Sequence, residues 1–288
     1  MSAKRVALVG LGKWGKNILR ELNGLTTVVY CCARSNKHEA WLKNNYPQIK
    51  FVTGFDQLLR DESLDTLVIA TPIKTHFELA KKSLLANKHV FLEKPLATNS
   101  AKASELQSLA ENQGRLLFTD HIFKHHPNFQ LLKKTLESQQ ILKLETSWEK
   151  FGSFKEDILW NLVYHDLYLS FEILKIDHFE KIKTHFSGKN KVLLVATSGE
   201  TQITININRL KFYKSKQLLV ETKEQRYLWQ GESLYTLTGS EKTIINQVRS
   251  NSLRSVLEEF LRSVDQQTGL NEPLAIEVIK TIEKLREN

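Results

Sequence analysis

Residues Arg5 to Ile18, R-V-A-L-V-G-L-G-K-W-G-K-N-I, restrict the fold more than any other stretch of the chain. A short apolar run meets three glycines and then a sequence able to continue as a helix, so a strand, a tight turn and a helix start are expected. The run Val6-Ala7-Leu8-Val9 is continuous rather than alternating, the pattern of a strand buried on both faces of a parallel sheet. Gly10, Gly12 and Gly15 fall at the G-x-G-x-x-G spacing. In that arrangement Gly10 allows the turn, Gly12 lets backbone amides approach a pyrophosphate, and Gly15 permits close packing of helix on strand. The helix start, with Lys13 and Trp14 in its first turn, offers free N-H donors and partial positive charge to phosphates.

The remaining pattern extends this into a two-domain α/β protein. A chain of 288 residues can hold two cores. With 41% hydrophobic and 25% charged residues, it falls outside the disordered and fibrous classes. The start of the chain becomes strand-like within a few residues, and no apolar run approaches a membrane span, so a cytoplasmic protein with no membrane partner is expected. Cys31 and Cys32 are adjacent in a predicted strand, where a mutual disulfide would be strained; buried thiols in a reducing compartment are expected. The net charge of +9 is spread along the chain without a basic block, which argues against a nucleic-acid partner.

The second strand, Val28 to Ala33, ends about where an NAD site places an acid for the ribose diol. No acid stands there. Arg34 and Ser35 follow the strand, with Lys37 close behind, and a guanidinium can bind a 2′-phosphate that a carboxylate would repel. This favours NADP over NAD; the alternative makes Arg34 an ordinary surface residue. A third run, Thr66 to Ala70, leads into Thr71-Pro72 and a helix from Thr75 to Leu85. His89 to Leu92 form another strand ending at Glu93-Lys94-Pro95. Alternating strands and helices imply a doubly wound parallel sheet, in which ligands sit beyond the carboxyl ends of the strands.

Taken in order, G-L-G-K-W-G-K-N, A-T-P-x-x-x-H and E-K-P resemble the Gfo/Idh/MocA oxidoreductases. The resemblance implies a Rossmann domain (residues 1–120) followed by an α+β domain with an open, mainly antiparallel sheet (121–288). It also implies hydride transfer between a nicotinamide and a substrate carbon. In that family the lysine of E-K-P, here Lys94, contacts the nicotinamide ribose and the reacting oxygen, and its peptide with Pro95 is often cis. Glu93, Thr71 and Pro72 fall among the expected cofactor contacts. Trp14 is expected as an apolar wall near the nicotinamide and His76 as a ribose contact, or both as packing residues.

The stretch Leu116 to Pro127, L-L-F-T-D-H-I-F-K-H-H-P, carries the sixth strand into the second domain and resembles the G-H-T-F-L-F-H-P form of members acting on sugar nucleotides. His121, His125 and His126 lack a carboxylate or thiolate cluster to complete a ligand set, so no metal is expected; at least one should line the cleft or a hydrogen-bonded interior. Asp157 to Leu174 reads as a long amphipathic helix with Asn161 and His165 on one face. The family carries aspartate and histidine at this spacing; here the histidine is kept and the aspartate is Asn161. A carboxamide cannot serve as a base, which leaves His165 as the proton-exchanging group, with Lys94 in support. Asp166, next on the helix, turns to another face and is expected as a cap or ion pair.

Residues 191–228 read as short strands, among them the alternating Thr201 to Asn208, T-Q-I-T-I-N-I-N, with one face buried and one polar. That open face is either the self-association surface typical of the family, giving a homodimer or larger homo-oligomer, or simply solvated. Leu253 to Val264 and Pro273 to Leu285 read as closing helices. The expected activity is NADP-dependent oxidation or reduction of a ring carbon in a sugar or nucleotide sugar, within sugar metabolism. Two alternatives stand beside it: an NADPH-dependent reductase of imines or biliverdin-type tetrapyrroles, and a sensor that binds NADP and a sugar nucleotide without turnover.

Overall fold

A computed structural model of the chain describes residues 5–151, 156–268 and 272–287. Two compact units are present, one of Met1–His121 with Leu253–Ile276, the other of Ile122–Ser252 with Glu277–Asn288. Sequence pattern predicts one break at residue 120; in the structure the chain returns to the first unit after residue 252.

The first unit alternates strand and helix: β1 (Arg5–Val9), α1 (Lys13–Leu22), β2 (Thr27–Cys32), α2 (Glu39–Asn45), β3 (Lys50–Val52), α3 (Phe55–Arg60), β4 (Thr66–Ile69), α4 (His76–Leu85), β5 (His89–Leu92), α5 (Ser100–Asn112) and β6 (Leu117–Thr119). The six strands form one parallel sheet in the order β3-β2-β1-β4-β5-β6. Every residue of β4 and β5 is buried, as the continuous apolar runs require of strands covered on both faces. Chain order reverses between β1 and β4, and ligand crevices open at such reversals in α/β sheets.

Three aromatic rings explain the return of the chain. Phe260 lies 5.3 Å from Phe91 of β5 and 5.6 Å from Phe118 of β6, edge-on to both, while Phe91 and Phe118 stack at 5.7 Å. The helix α8 (Ser252–Gln266) carries Phe260 with Leu253, Val256, Leu257 and Val264, all buried. Each such pair contributes about 0.5–1.5 kcal/mol beyond area burial, so a helix predicted only as amphipathic is drawn to the β5–β6 side. Cys31 and Cys32 are buried free thiols; burial pushes the first up to about 12, with Cys32 adding to it, and the second to about 11, so neither presents a thiolate at neutral pH.

The second unit contains α6 (Pro127–Thr135), β7 (Ile141–Phe151), α7 (Tyr164–Leu174), β8 (Lys181–Phe186), β9 (Lys191–Ser198), β10 (Thr201–Asn208), β11 (Leu210–Thr222), β12 (Arg226–Gln230), β13 (Ser233–Thr238) and β14 (Glu241–Gln247). The eight strands run β14-β13-β12-β11-β7-β10-β9-β8, antiparallel except for the parallel β7–β10 pair. The two runs expected at Leu210 to Tyr213 and Gln217 to Thr222 form a single strand, β11, whose register with β7 shifts between Leu210 and Ser215. The closing helix α9 (Pro273–Glu287) has its proline in the first turn.

The open face of this sheet differs from the expected one. Along β10 the outward Gln202 and Asn206 are polar, but on β9 the outward positions are Leu193 and Val195, paired across the strands with Asn206 and Thr204. The face is therefore mixed, because alternation in one strand says nothing about what its neighbour presents.

Candidate active site

In the first unit the carboxyl ends of four adjacent strands, β2, β1, β4 and β5, lead into Arg34, the glycine turn, Thr71-Pro72 and Lys94 respectively. Gly10 has a φ of +103°, its N-H donates to the Cys32 carbonyl at 2.8 Å, and a Cβ there would stand 2.3 Å from the Ala70 oxygen. A Cβ on Gly15 would stand 2.0 Å from the Gly10 oxygen. Both glycines are thus required by the protein's own packing. Gly12 differs: a Cβ there would meet nothing within 4 Å. It caps α1 without a side-chain hydrogen bond, no acid occupies the first turn, and the helix begins with unopposed N-H donors beside open space. A phosphate-bearing cofactor fits this cradle.

At the end of β2, Arg34, Ser35 and Lys37 are exposed. Lys16 of α1 lies over the Trp41 ring of α2 at 4.0 Å, and His38 is held below its ordinary value by burial and by the charges of Lys16 and Lys37. Motif reasoning misses Lys16, because its partner Trp41 stands on another helix.

Between the β4 and β5 loops stands His76, 1% exposed, with Nδ1 2.8 Å from the Pro95 carbonyl oxygen and Nε2 2.9 Å from that of Thr71. Burial pulls its pKa down, so the ring carries one proton and donates to one carbonyl at a time. Both ring nitrogens face backbone, and His76 braces the Thr71 loop against the loop of Lys94, whose peptide with Pro95 is cis. Of the two roles open to His76, the geometry is that of the packing residue. Thr71 receives a further hydrogen bond from the Thr75 hydroxyl at 2.8 Å.

The Trp14 indole N-H donates to the Glu93 carboxylate, joining the start of α1 to the end of β5. Glu93 is held well above the usual carboxylate range, first by burial and then by Asp120, which is hydrogen-bonded to it; Lys94 acts in the opposite direction. From the sequence, Asp120 is no more than a boundary residue. A signal is nonetheless present: in the G-H-T-F form glycine stands where this chain has Asp120. His121 lies in the interior, its Nε2 2.8 Å from a Glu272 carboxylate oxygen.

In the second unit His165 belongs to an aromatic group. Its ring centroid lies 5.0 Å from that of Phe123, 5.7 Å from Trp148 and 6.4 Å from Tyr164, and Phe123 and Trp148 are 5.5 Å apart. The segment expected as one α-helix begins instead with a π-helical turn, Leu159–Val163, which holds Asn161; α7 starts only at Tyr164. Leu159, Trp160, Leu162 and Val163 of that turn are all buried, while Asn161 and His165 are half-buried. π-Helical turns often occur at functional sites. The ion-pair role expected of Asp166 is present: its carboxylate, 0% exposed, lies 3.3 Å from the Lys216 ammonium. His126 caps α6 by accepting the Asn128 N-H at 3.1 Å, and its ring lies 4.7 Å from Trp229. Burial, with Lys216, lowers its pKa to about 4. Among the described residues no group of three or more His, Cys, Asp or Glu side chains could hold a metal ion, and no helix is long and apolar enough to cross a membrane.

Comparisons with known proteins agree with this architecture. Over 150 residues the chain is 32% identical to an uncharacterized oxidoreductase, YdgJ, of Escherichia coli (strain K12), covering 51% of this chain and 43% of that protein. It is 33% identical over 101 residues to dTDP-3,4-didehydro-2,6-dideoxy-alpha-D-glucose 3-reductase of Saccharopolyspora spinosa, covering 35% of this chain and 30% of that enzyme. The chain thus spans less than half the length of these relatives. UDP-N-acetylglucosamine 3-dehydrogenase GnnA from Acidithiobacillus ferrooxidans superposes with a TM-score of 0.90 over 100% of this chain and 98% of that one, at 17% identity, which shows a shared fold. Residues 4–121 match the GFO_IDH_MocA profile, described as an oxidoreductase family with an NAD-binding Rossmann fold.

Proposed function

We propose that the protein is an NADP-preferring oxidoreductase that transfers a hydride to or from a ring carbon of a sugar or nucleotide sugar. The observation that carries the cofactor reading is the end of β2, where Arg34 and Ser35 stand in place of an acid, with Lys37 and Lys16 nearby. A 2′-phosphate gains charge-assisted contacts from a guanidinium there, and a ribose diol finds no carboxylate to receive its hydroxyls. Gly12 and the start of α1 hold the pyrophosphate, and Thr71, Pro72 and Glu93 border the rest of the cofactor. When bound, the nicotinamide supplies or accepts the hydride.

The chain's own groups manage the oxygen and its proton. Lys94 donates to the reacting oxygen and stabilises the negative charge that develops on it. His165 gives or takes the proton, since an imidazole exchanges one near neutral pH. Asn161 orients the substrate through its carboxamide. The sugar-nucleotide reading is supported by the G-H-T-F-like segment and by the reductase and dehydrogenase named above. Self-association through the mixed face of β9 and β10 completes the proposal.

Fluorescence titration with NADPH and NADH tests the cofactor reading. Wild type should prefer NADPH, and Arg34→Ala should remove most of that preference, a change of about 10- to 100-fold for charge-assisted hydrogen bonds of about 1.5–3 kcal/mol. Equal affinity for both cofactors in wild type would contradict it. Turnover is tested with a panel of nucleotide sugars and imines: Lys94→Ala and His165→Ala should each abolish whatever wild type shows on a sugar. Reaction with imines or biliverdin alone, or binding without turnover, would replace the sugar reading.

A further inference from the structure

Nothing in the sequence pattern marks Lys216, yet it lies at the middle of the group that holds His165. Its Nζ is 3.3 Å from the Phe123 ring centroid and 4.2 Å from that of Trp148, the two rings that both contact the His165 imidazole. It forms an ion pair with Asp166, the residue directly after His165 on α7. We propose that Lys216 is a positioning residue for His165: held by Asp166 and seated over Phe123 and Trp148, its ammonium fixes the aromatic walls against which the imidazole packs and the charge beside it.

Three features support this role. Successive helical side chains point in fixed, different directions, so tying Asp166 to β11 sets the rotation of the turn that carries His165. Burial opposes both charges, raising Asp166 and lowering Lys216, and their mutual attraction works against that shift in each. Finally, a buried ion pair is a poor source of stability, since apolar residues of the same volume commonly serve as well. Stability alone therefore does not account for a charged pair here. The Lys216 side chain is 14% exposed and acts through its neighbours. The titratable and charged groups around it are Asp166 of α7, which also takes a hydrogen bond from Thr146 of β7, Lys214 on its own strand, and His126 at the start of α6; Tyr164 adjoins the imidazole itself.

The inference rests on the reading of His165 as the proton-exchanging group, but its test observes the imidazole directly, so absence of turnover on every substrate tried would not decide it. The His165 ring resonances, assigned by comparison with His165→Gln, are followed by NMR from about pH 5 to about 9 in the full-length protein. In Lys216→Met the His165 titration should move upward, because the cation seated on the two rings that touch the imidazole has been removed. Lys216→Arg should bring the midpoint back toward wild type while shifting the resonances, since a planar guanidinium seats differently on the rings. NADPH affinity should match wild type in both variants. A folded Lys216→Met protein whose His165 titrates as in wild type overturns the proposal. If Lys216→Met does not fold, Lys216→Arg decides: His165 resonances identical to wild type overturn it, and displaced resonances support it.

Discussion

Replacing each of the three glycines by alanine separates what the fold needs from what a ligand needs. A methyl group on Gly15 would lie 2.0 Å from a backbone oxygen, and one on Gly10 2.3 Å from another, at a φ of +103°. Overpacking costs about 1–3 kcal/mol and strained backbone about another 1–3, so Gly10→Ala should lose about 2–6 kcal/mol and Gly15→Ala somewhat less. Gly12 has a φ of −70° and ψ of −171°, which alanine adopts freely, and its methyl would meet no protein atom within 4 Å. Two small effects then oppose each other: alanine restricts the unfolded chain, a gain of about 0.4–1 kcal/mol, and is a poorer N-cap than glycine, a loss of similar size. Gly12→Ala should therefore unfold within about 1 kcal/mol of wild type, a shift of less than about 4 °C. The same methyl would occupy the space assigned to the pyrophosphate and should weaken NADPH binding at least about tenfold, or about 1.4 kcal/mol. Thermal unfolding of the cofactor-free protein and NADPH titration by fluorescence make the measurement. Gly12→Ala with wild-type NADPH affinity would refute the placement of the phosphates, and Gly12→Ala as unstable as Gly10→Ala would refute the reading of the loop.

Two further outcomes are expected. His126 is neutral in the folded protein down to about pH 4, whereas the unfolded chain takes up a proton below its ordinary value near 6.5. The unfolded state therefore binds more protons across that window, and the stabilisation present above about pH 6.5 is lost as the pH falls toward 4, by up to about 3 kcal/mol. His126→Asn, which keeps a capping side chain, should flatten this loss in denaturant unfolding measured at pH 7 and pH 5; an unchanged slope would remove His126 from the acid response. In the second case, if Leu193 and Val195, 39% and 47% exposed on β9, form part of a self-association face, the Leu193→Asp/Val195→Asp variant should lower the mass seen by light scattering on gel filtration. Equal mass for both proteins would place self-association elsewhere.

The parallel sheet is legible in the sequence because burial on both faces leaves a local mark. Val6 to Val9, Thr66 to Ile69 and His89 to Leu92 are continuous runs, and their bounds in the structure differ from the sequence reading by a residue or none. The antiparallel sheet is less legible at its edges. Lys181–Phe186 and Glu241–Gln247 are β8 and β14, the two edge strands, and each is largely exposed. A strand with little buried on either face has no alternation to read, and it is fixed by hydrogen bonding to a neighbour far away in sequence. The same reasoning covers β11, where Phe212 is 91% exposed within a continuous strand.

The residues of the candidate site divide in a similar way. Gly10 and Gly15 follow from local spacing, because their roles are set within a few residues of chain, and the cis Lys94–Pro95 peptide is what the family resemblance implies. Lys216, Asp120 and Lys16 escape sequence reasoning, because each draws its role from a partner at a distance: Asp166 and Phe123 for the first, Glu93 for the second, Trp41 for the third. All three are charged, and a charged residue reads as surface when no partner is in view. The Asp166 and Lys216 pair is the clearest case. Asp166 can be read as half of an ion pair from its helix face alone, but the other half sits on β11, 50 positions along in a strand that the sequence pattern divides in two. Only the register of β11 against β7, which sets Lys216 opposite Trp148, brings the ammonium to the ring that also touches His165. A register slip of one residue would send Lys216 to the other face of the sheet, so the register that forms the sheet also determines whether His165 has a charged neighbour.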